Sequence, residues 1–263
     1  MKSVYTGGEK VAEFESYDEL RVGDGKPAFI YEGNELVYPN PIKDGLVLWY
    51  DFSGRTNADG QRGIAEDLSG NGNHGTLKNF NFTPESGYDK NRLLSDGTDD
   101  TVRTTTNETL NIVGDLTVEI IIECKETTND WRWFVGNSQN ASHFTGFSLY
   151  QQPRTPHGLA FGYRGTILKD GNYTVEEGKK YHLIGTSEGG LLKFYINGQL
   201  ITSRQAIAES ENSFRDLSFM RATYYASPHF KGGMGSTRIY NKALTPEEVQ
   251  HNYAIEKERF GIE

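Results

Sequence analysis

The nearest approach to a catalytic pair in this sequence is Glu119-Ile-Ile-Ile-Glu123, which puts two carboxylates and Ile121 on one face of a strand. Glycoside hydrolysis needs two carboxyl groups roughly 5 to 9.5 Å apart, one to protonate the leaving oxygen and one to act as nucleophile or base. At about 3.3 Å per residue, these two sit roughly 13 Å apart. The spacing therefore reads as two acids on a partly solvated sheet face. The six histidines, His74, His143, His157, His182, His229 and His251, show no pairing at metal-ligand spacing. No nucleophile has an activating neighbour, so no catalytic residue is assigned.

Two other chemistries are worth weighing. Asp67, Ser69, Asn71 and Asn73 alternate with small residues as oxygen donors of a calcium loop do, but Lys78 stands where an EF-hand needs its bidentate glutamate. The other reading is a tight Gly-Asn turn held by side-chain to backbone hydrogen bonds. Sugar binding needs aromatic faces and planar polar groups on loops of a rigid sheet. The segments NDWRWF, SHFTGF, YQQPRTPHG and RATYYASPHF supply them, and the candidate ligand-binding residues are Trp131, Arg154, His157, Tyr224, Tyr225 and His229. Against this, Trp133 and Phe134 are expected to fill the core, and Tyr224 and Tyr225 suit a subunit interface.

The elements that must position these residues are strands. YHLIGTSEGGLLKFYINGQLI, residues 181 to 201, holds two hairpin turns, Gly189-Gly190 and Asn197-Gly198. Alternation puts Leu192, Phe194 and Ile196 on the buried face, with Lys193 and Tyr195 facing outward or into a shallow groove. Further strands are expected near 46–52, 76–82, 100–106, 116–124, 132–136, 145–150, 159–163, 215–221 and 235–240. The one helix starts at Thr245 as N-cap, with Pro246 at its first position and Glu248 completing a capping box, and runs to about Arg259. Its weakly apolar face makes it a surface closure.

The first forty residues contain a repeat, VYTGGEKVAEF from Val4 and IYEGNELVYPN from Ile30, offset by 26 residues. Each copy reads as a small hairpin, marginal on its own and therefore suited to docking on a partner. The prolines of YPNPIKDG mark a linker, which divides the chain into an N-terminal hairpin region, 1–41, and a sandwich domain, 42–263.

Together GLVLWYDF, DLSGNGNHGTL, SDGTDDTV, LTVEIIIE, the ribbon and GSTRIYNKALTPEEV make the sequence resemble the laminin-G-like, concanavalin A-like jelly roll domains, particularly those of bacteriophage structural proteins. The resemblance covers roughly residues 44 to 253. It implies an all-β, two-sheet antiparallel jelly roll sandwich with a short N-terminal hairpin region and a short C-terminal helix. It also implies a structural calcium in some members, for which Asp67, Asp99 and Asp100 are the candidates. Where many members carry an acidic pair before the RIY strand, this chain has Gly235-Ser236-Thr237, which weakens that assignment; no other cofactor is expected.

Bulk properties exclude some partners. A net charge of −9 and no basic run longer than Lys179-Lys180 work against nucleic acid. The lone Cys124 excludes an intrachain disulfide. No run of about 18 apolar residues suggests membrane insertion, and the start MKSVYTGGEK has no signal-peptide pattern. The expectation is a non-enzymatic virion protein, of appendage, fiber or decoration type, made in the host cytoplasm. It attaches to other virion proteins through its hairpins, assembles as a homo-oligomer with a trimer as the expected form, and recognises host-surface polysaccharide. The alternatives are a cementing module without a ligand and a glycan depolymerase.

Overall fold

The computed structural model describes residues 2–6, 9–14, 29–32, 35–105, 107–127, 130–138, 146–153, 158–170, 173–206, 216–222 and 229–263. In chain order the strands are β1 (Lys2–Thr6), β2 (Glu9–Phe14), β3 (Ile30–Glu32), β4 (Glu35–Tyr38), β5 (Leu46–Tyr50), β6 (Ile64–Ala65), β7 (Gly75–Lys78), β8 (Gly87–Asp89), β9 (Arg92–Asp96) and β10 (Thr101–Thr104). They continue as β11 (Leu116–Cys124), β12 (Arg132–Gly136), β13 (Phe147–Gln152), β14 (Gly158–Tyr163), β15 (Thr166–Lys169), β16 (Lys180–Glu188), β17 (Leu191–Ile196), β18 (Gln199–Gln205), β19 (Leu217–Phe219) and β20 (Lys231–Tyr240), followed by helix α1 (Pro246–Phe260). The chain forms two compact units, Met1–Pro41 and Ile42–Glu263.

In the first unit the sequence repeat is also a repeat of backbone register. β1 pairs with β2 through Val4↔Ala12, Tyr5↔Lys10 and Thr6↔Glu9, with an irregularity between Val4 and Tyr5. β3 pairs with β4 through Ile30↔Tyr38, Tyr31↔Leu36 and Glu32↔Glu35, with the irregularity at the equivalent step, Ile30 to Tyr31. One hairpin has been built twice.

The second unit is an antiparallel sandwich. One sheet runs β15-β14-β13-β12-β19-β10-β7-β6; the other runs β18-β17-β16-β11-β20-β9-β8, with β5 also paired to β20. The long β20 shares one edge between two partners, β9 along Lys231 to Met234 and β5 along Thr237 to Tyr240. Period-2 alternation fills the space between the sheets: Leu116, Val118, Ile120, Ile122 and Cys124 from β11 meet Phe134, Leu149, Phe161 and Phe219 of the facing sheet. Both hairpin turns of the β16-β17-β18 ribbon have two successive residues at positive φ, Gly189 and Gly190, then Asn197 and Gly198, the geometry that tight two-residue turns require.

Phe194 and Ile196 are in this core as expected, at 0% and 1% exposure. Tyr195 departs from expectation. It points to the opposite face, yet is buried with Ile184, Tyr240, Leu244 and Val249 because α1 covers that face. The helix has the expected ends: the Thr245 hydroxyl accepts from the Glu248 N–H, the Glu248 side chain accepts from the Thr245 N–H, and Gly261 closes it in the left-handed conformation. β6, β8, β9 and β15 were not expected, and β20 starts four residues early; Gly232, Gly233 and Gly235 obscure its alternation.

Candidate functional site

The outer face of β11 holds Glu119 and Glu123, and neither faces a cleft. Glu119 is fully buried beneath α1. It accepts from Arg238 Nη1 at 2.8 Å and from Asn252 Nδ2 at 2.8 Å, and pairs with His182 Nε2 at 2.8 Å. Burial opposes ionisation, but Arg238 and His182 outweigh it and hold the carboxyl down to about 2. Arg238 also bonds Glu256 from α1, and Glu256 accepts from Arg259, which pairs with Asp51 at 2.8 Å. Glu123 pairs with Arg92. The expected half-solvated acids are thus in buried ion pairs: Glu119, through Arg238 and Glu256, fastens the helix to the sheet, and Glu123 pairs with Arg92 within the sheet.

The aspartates resolve into two groups. Asp67 accepts from the backbone N–H groups of Trp49, Ser69 and Asn73 and from the Ser69 hydroxyl, an internal staple of the Gly-Asn loop. Asp99 and Asp100 stand with Asp96, each offering an oxygen within 4.8 Å of the others. Asp100 is inaccessible and already accepts from the Ser86 hydroxyl and the Asp96 N–H. Burial, with the neighbouring acids adding to it, pushes its carboxyl up to about 6. Calcium takes six to eight oxygens; these carboxylates supply three, and Asp67 is not among the group.

The outer face of the other sheet has a different character. Trp133 on β12 lies directly opposite Tyr150 on β13, which lies opposite Ala160 on β14. The Trp133 and Tyr150 rings stack at 5.4 Å and 19°, and half-buried Trp131 leans on both, at 5.6 and 5.5 Å. Trp133 is buried as expected, but a register shift between Trp133 and Val135 puts it in a separate cluster on the outer side of the sheet. The bulge lets Phe134 and Val135 both point inward and leaves Trp133 on the outer face. Trp131 is held from behind, its N–H donating to Asp130 and its carbonyl accepting from Arg132.

Ala222 packs into this aromatic cluster, and its neighbour Arg221 carries the face from apolar to basic. The Met220 carbonyl accepts from the Phe230 N–H at 2.9 Å, which sets His229 beside Arg221. Arg103 projects from β10 opposite Ser218 of β19, on the same side as Thr101, whose hydroxyl meets that of Ser218. Burial and the Arg221 charge lower the Arg103 pKa. His229 is likewise lowered, by burial first and then by Arg221 and Arg103 against Asp99 and Asp96.

Of the residues picked from sequence, Trp131 and His229 belong to this face. Arg154, His157, Tyr224 and Tyr225 lie outside the described residues. Arg103, Arg221, Trp133 and Tyr150 are additions. Trp133 and Tyr150 are adjacent only through strand pairing, and Arg103 joins Arg221 only because β10 lies beside β19. A separate open groove of about 660 Å³, lined by Tyr173, Glu176, Lys179, Tyr181 and Asn197 among others, holds an edge-to-face Tyr173–Tyr181 pair.

The architecture has relatives. Residues 96–250 match the family model of the concanavalin A-like lectin/glucanases superfamily. The chain belongs to this superfamily. Among solved structures, domain 4 of AbnA, an extracellular arabinanase from Geobacillus stearothermophilus solved with arabinotriose, is 20% identical with a TM-score of 0.58, covering 79% of this chain and 98% of that one. Trypanosoma rangeli sialidase is 12% identical with a TM-score of 0.60, covering 81% of this chain but 33% of its own, so this superfamily member spans only a third of that enzyme. The binding domain of Paraclostridial Mosquitocidal Protein 1 is 19% identical with a TM-score of 0.60, over 80% of this chain and 52% of that one. These likenesses are of fold. No curated protein matches the sequence.

Proposed function

We propose that this concanavalin A-like chain is a non-enzymatic glycan-recognition module, carried outward on a bacteriophage particle and bound to it through the duplicated N-terminal hairpins. The observation that carries the recognition part is the Trp131–Trp133–Tyr150 stack on an outer sheet face, next to Arg221 and His229. Trp133 and Tyr150 are themselves buried, so half-buried Trp131 is the ring that offers a sugar a flat apolar surface for its C–H face, and the packing behind it holds that ring in place at little entropic cost. The similarity in fold to the arabinanase domain solved with arabinotriose accords with this reading. The non-enzymatic part is supported by Glu119 and Glu123, the best hydrolytic pair of the sequence, being committed to Arg238 and Arg92. Placement on a virion and assembly as a trimer rest on the sequence resemblance and on the exact repetition of hairpin register, which suits a repeated docking element.

The test is binding of the full chain to a panel of bacterial wall polysaccharides and neutral oligosaccharides, beside the variant Trp131→Ala. Wild type should bind at least one class, and the variant should lose tenfold or more while melting at nearly the same temperature. No binding by wild type sinks the recognition part and favours a cementing role. Release of reducing ends would overturn the non-enzymatic part.

A further inference from the structure

On the helix-covered face every buried arginine meets a carboxylate: Arg238 meets Glu119 and Glu256, and Arg259 meets Asp51. On the aromatic face, among the described residues, no hydrogen bond or ion pair to a carboxylate engages Arg103 or Arg221, and the buried Nε of Arg221 and Nε2 of His229 have no hydrogen-bond partner. Two half-buried guanidiniums near enough to oppose each other's charge are costly to keep without an anion. The nearby carboxylates do not discharge them: Asp216 acts on Arg103, and Asp96 and Asp99 act on His229, through space only.

We infer that the sugar recognised beside Trp131 is anionic, its carboxylate or phosphate held by the guanidiniums of Arg103 and Arg221. This rests on the glycan-binding reading above and names the class of sugar. Guanidinium forks match the planar oxygens of carboxylates and the oxygens of phosphates. Ala222, next to Arg221 in the chain, packs in the cluster against which Trp131 lies, so the aromatic and basic groups share one stretch of this face. The chain as a whole is acidic, at −9, and repels a polyanion at long range. That repulsion is screened within about 8 Å at physiological salt, which leaves recognition to the local contacts.

The experiment titrates the full chain with oligogalacturonate and an oligomer of α2,8-linked sialic acid as carboxylate probes, glycerol-phosphate teichoic acid as the phosphate probe, and carboxyl-reduced oligogalacturonate and arabinotriose as neutral controls. At least one acidic probe should bind tenfold or more tightly than the neutral controls, and which one does so assigns the anion. Arg103→Gln and Arg221→Gln should each cut that binding tenfold or more, and cut it by a larger factor than they cut neutral-sugar binding. Should either variant lose its thermal transition, Arg103→Lys or Arg221→Lys replaces it and should retain a preference for the acidic probe over the neutral one. Acidic probes that bind no better than neutral ones, or glutamine variants that bind them like wild type, overturn the inference. If neutral sugars alone bind through Trp131, glycan recognition stands and the anionic preference falls; if nothing binds, both fall.

Discussion

On the outer face of the β11 sheet, Arg238 lies opposite Glu119 and is met from above by Glu256 of α1. On the outer face of the β12–β13 sheet, Arg103 lies opposite Ser218 and, among the described residues, pairs with no carboxylate. The two positions are alike, an arginine projecting from an inner strand of a sheet away from the common core. They differ in what surrounds the charge. The first is neutralised within the chain, and a helix is laid over it; the second is left with a partly buried charge and a neighbouring aromatic stack. A charge paired within the chain serves the fold, whereas one that no carboxylate of the described residues neutralises beside a ring surface marks the position proposed above for an anionic ligand. This contrast, more than the fold, which hosts many activities, is what directs attention to one face.

The sharpest way to break the comparison is to remove each arginine in turn and measure stability. Arg238→Met should destabilise by about 3 to 5 kcal/mol in urea unfolding, because it removes the guanidinium shared by two buried acids and leaves Glu119 with His182 and Asn252 and Glu256 with Arg259 alone. A cost below about 1 kcal/mol would mean that water reaches the network and that α1 does not seal it. Replacing Arg238, Glu119 and Glu256 together with apolar residues of similar size should recover much of the loss.

Acid should act with opposite signs on two buried carboxylates, Glu119 and Asp100. The Glu119 carboxyl is held at about 2 in the folded state, below its ordinary value. Its contribution, on the order of 3 kcal/mol, is present above about pH 4.5 and is lost as pH falls toward 2. Asp100, pushed up to about 6, binds its proton more tightly in the folded state than in the unfolded. It therefore favours folding at about pH 4 and withdraws that support as pH rises through 6. A stability profile of wild type against Glu119→Gln and Asp100→Asn separates the limbs: the first variant should flatten the acid limb and the second the limb between pH 4 and 6. Parallel profiles for all three chains would refute both assignments.

A smaller effect sharpens the role of the helix as a lid. Thr245→Ala removes the side-chain acceptor for the Glu248 N–H and should cost about 1 kcal/mol. If α1 is the cover of the Glu119 network, the same variant should speed hydrogen exchange along β11 and β20 more than along β13.

Much of the sandwich is legible in the sequence because its signals are local. Gly189-Gly190 and Asn197-Gly198 dictate turns, alternation in β11 and β17 dictates faces, and Thr245, Pro246 and Glu248 dictate a helix start, each within a few residues. What is not legible depends on what lies opposite. Tyr195 alternates outward correctly, but nothing near it announces that α1 will cover it. Glu119 and Glu123 look solvated until Arg238, 119 residues away, and Arg92 arrive. Trp133 is buried as expected, but the side of the sheet on which it is buried depends on a single bulge, an extra residue that alternation cannot see. The site shows the same division. Trp131 and His229 stand out as an aromatic and a histidine in turn-rich segments, whereas Arg103 reads as one more charge on a short strand until β19 is laid beside β10.

The smallest expected effect is the most discriminating. Arg221→Gln should change unfolding free energy by less than about 0.5 kcal/mol, the usual range for a side chain that leaves no buried partner behind. Relief of repulsion from Arg103 can even make the change slightly favourable. The same substitution at Arg238 should be severe, so the difference between the two measurements reads directly whether a charge is spent on the fold. Were Arg221→Gln to cost 2 kcal/mol or more, the guanidinium would have a structural partner after all, and the case for holding it in reserve for a ligand would be lost. Were it neutral in stability while the acidic-sugar affinity dropped, the residue would be assigned to binding by two independent observables that a purely structural arginine does not move together.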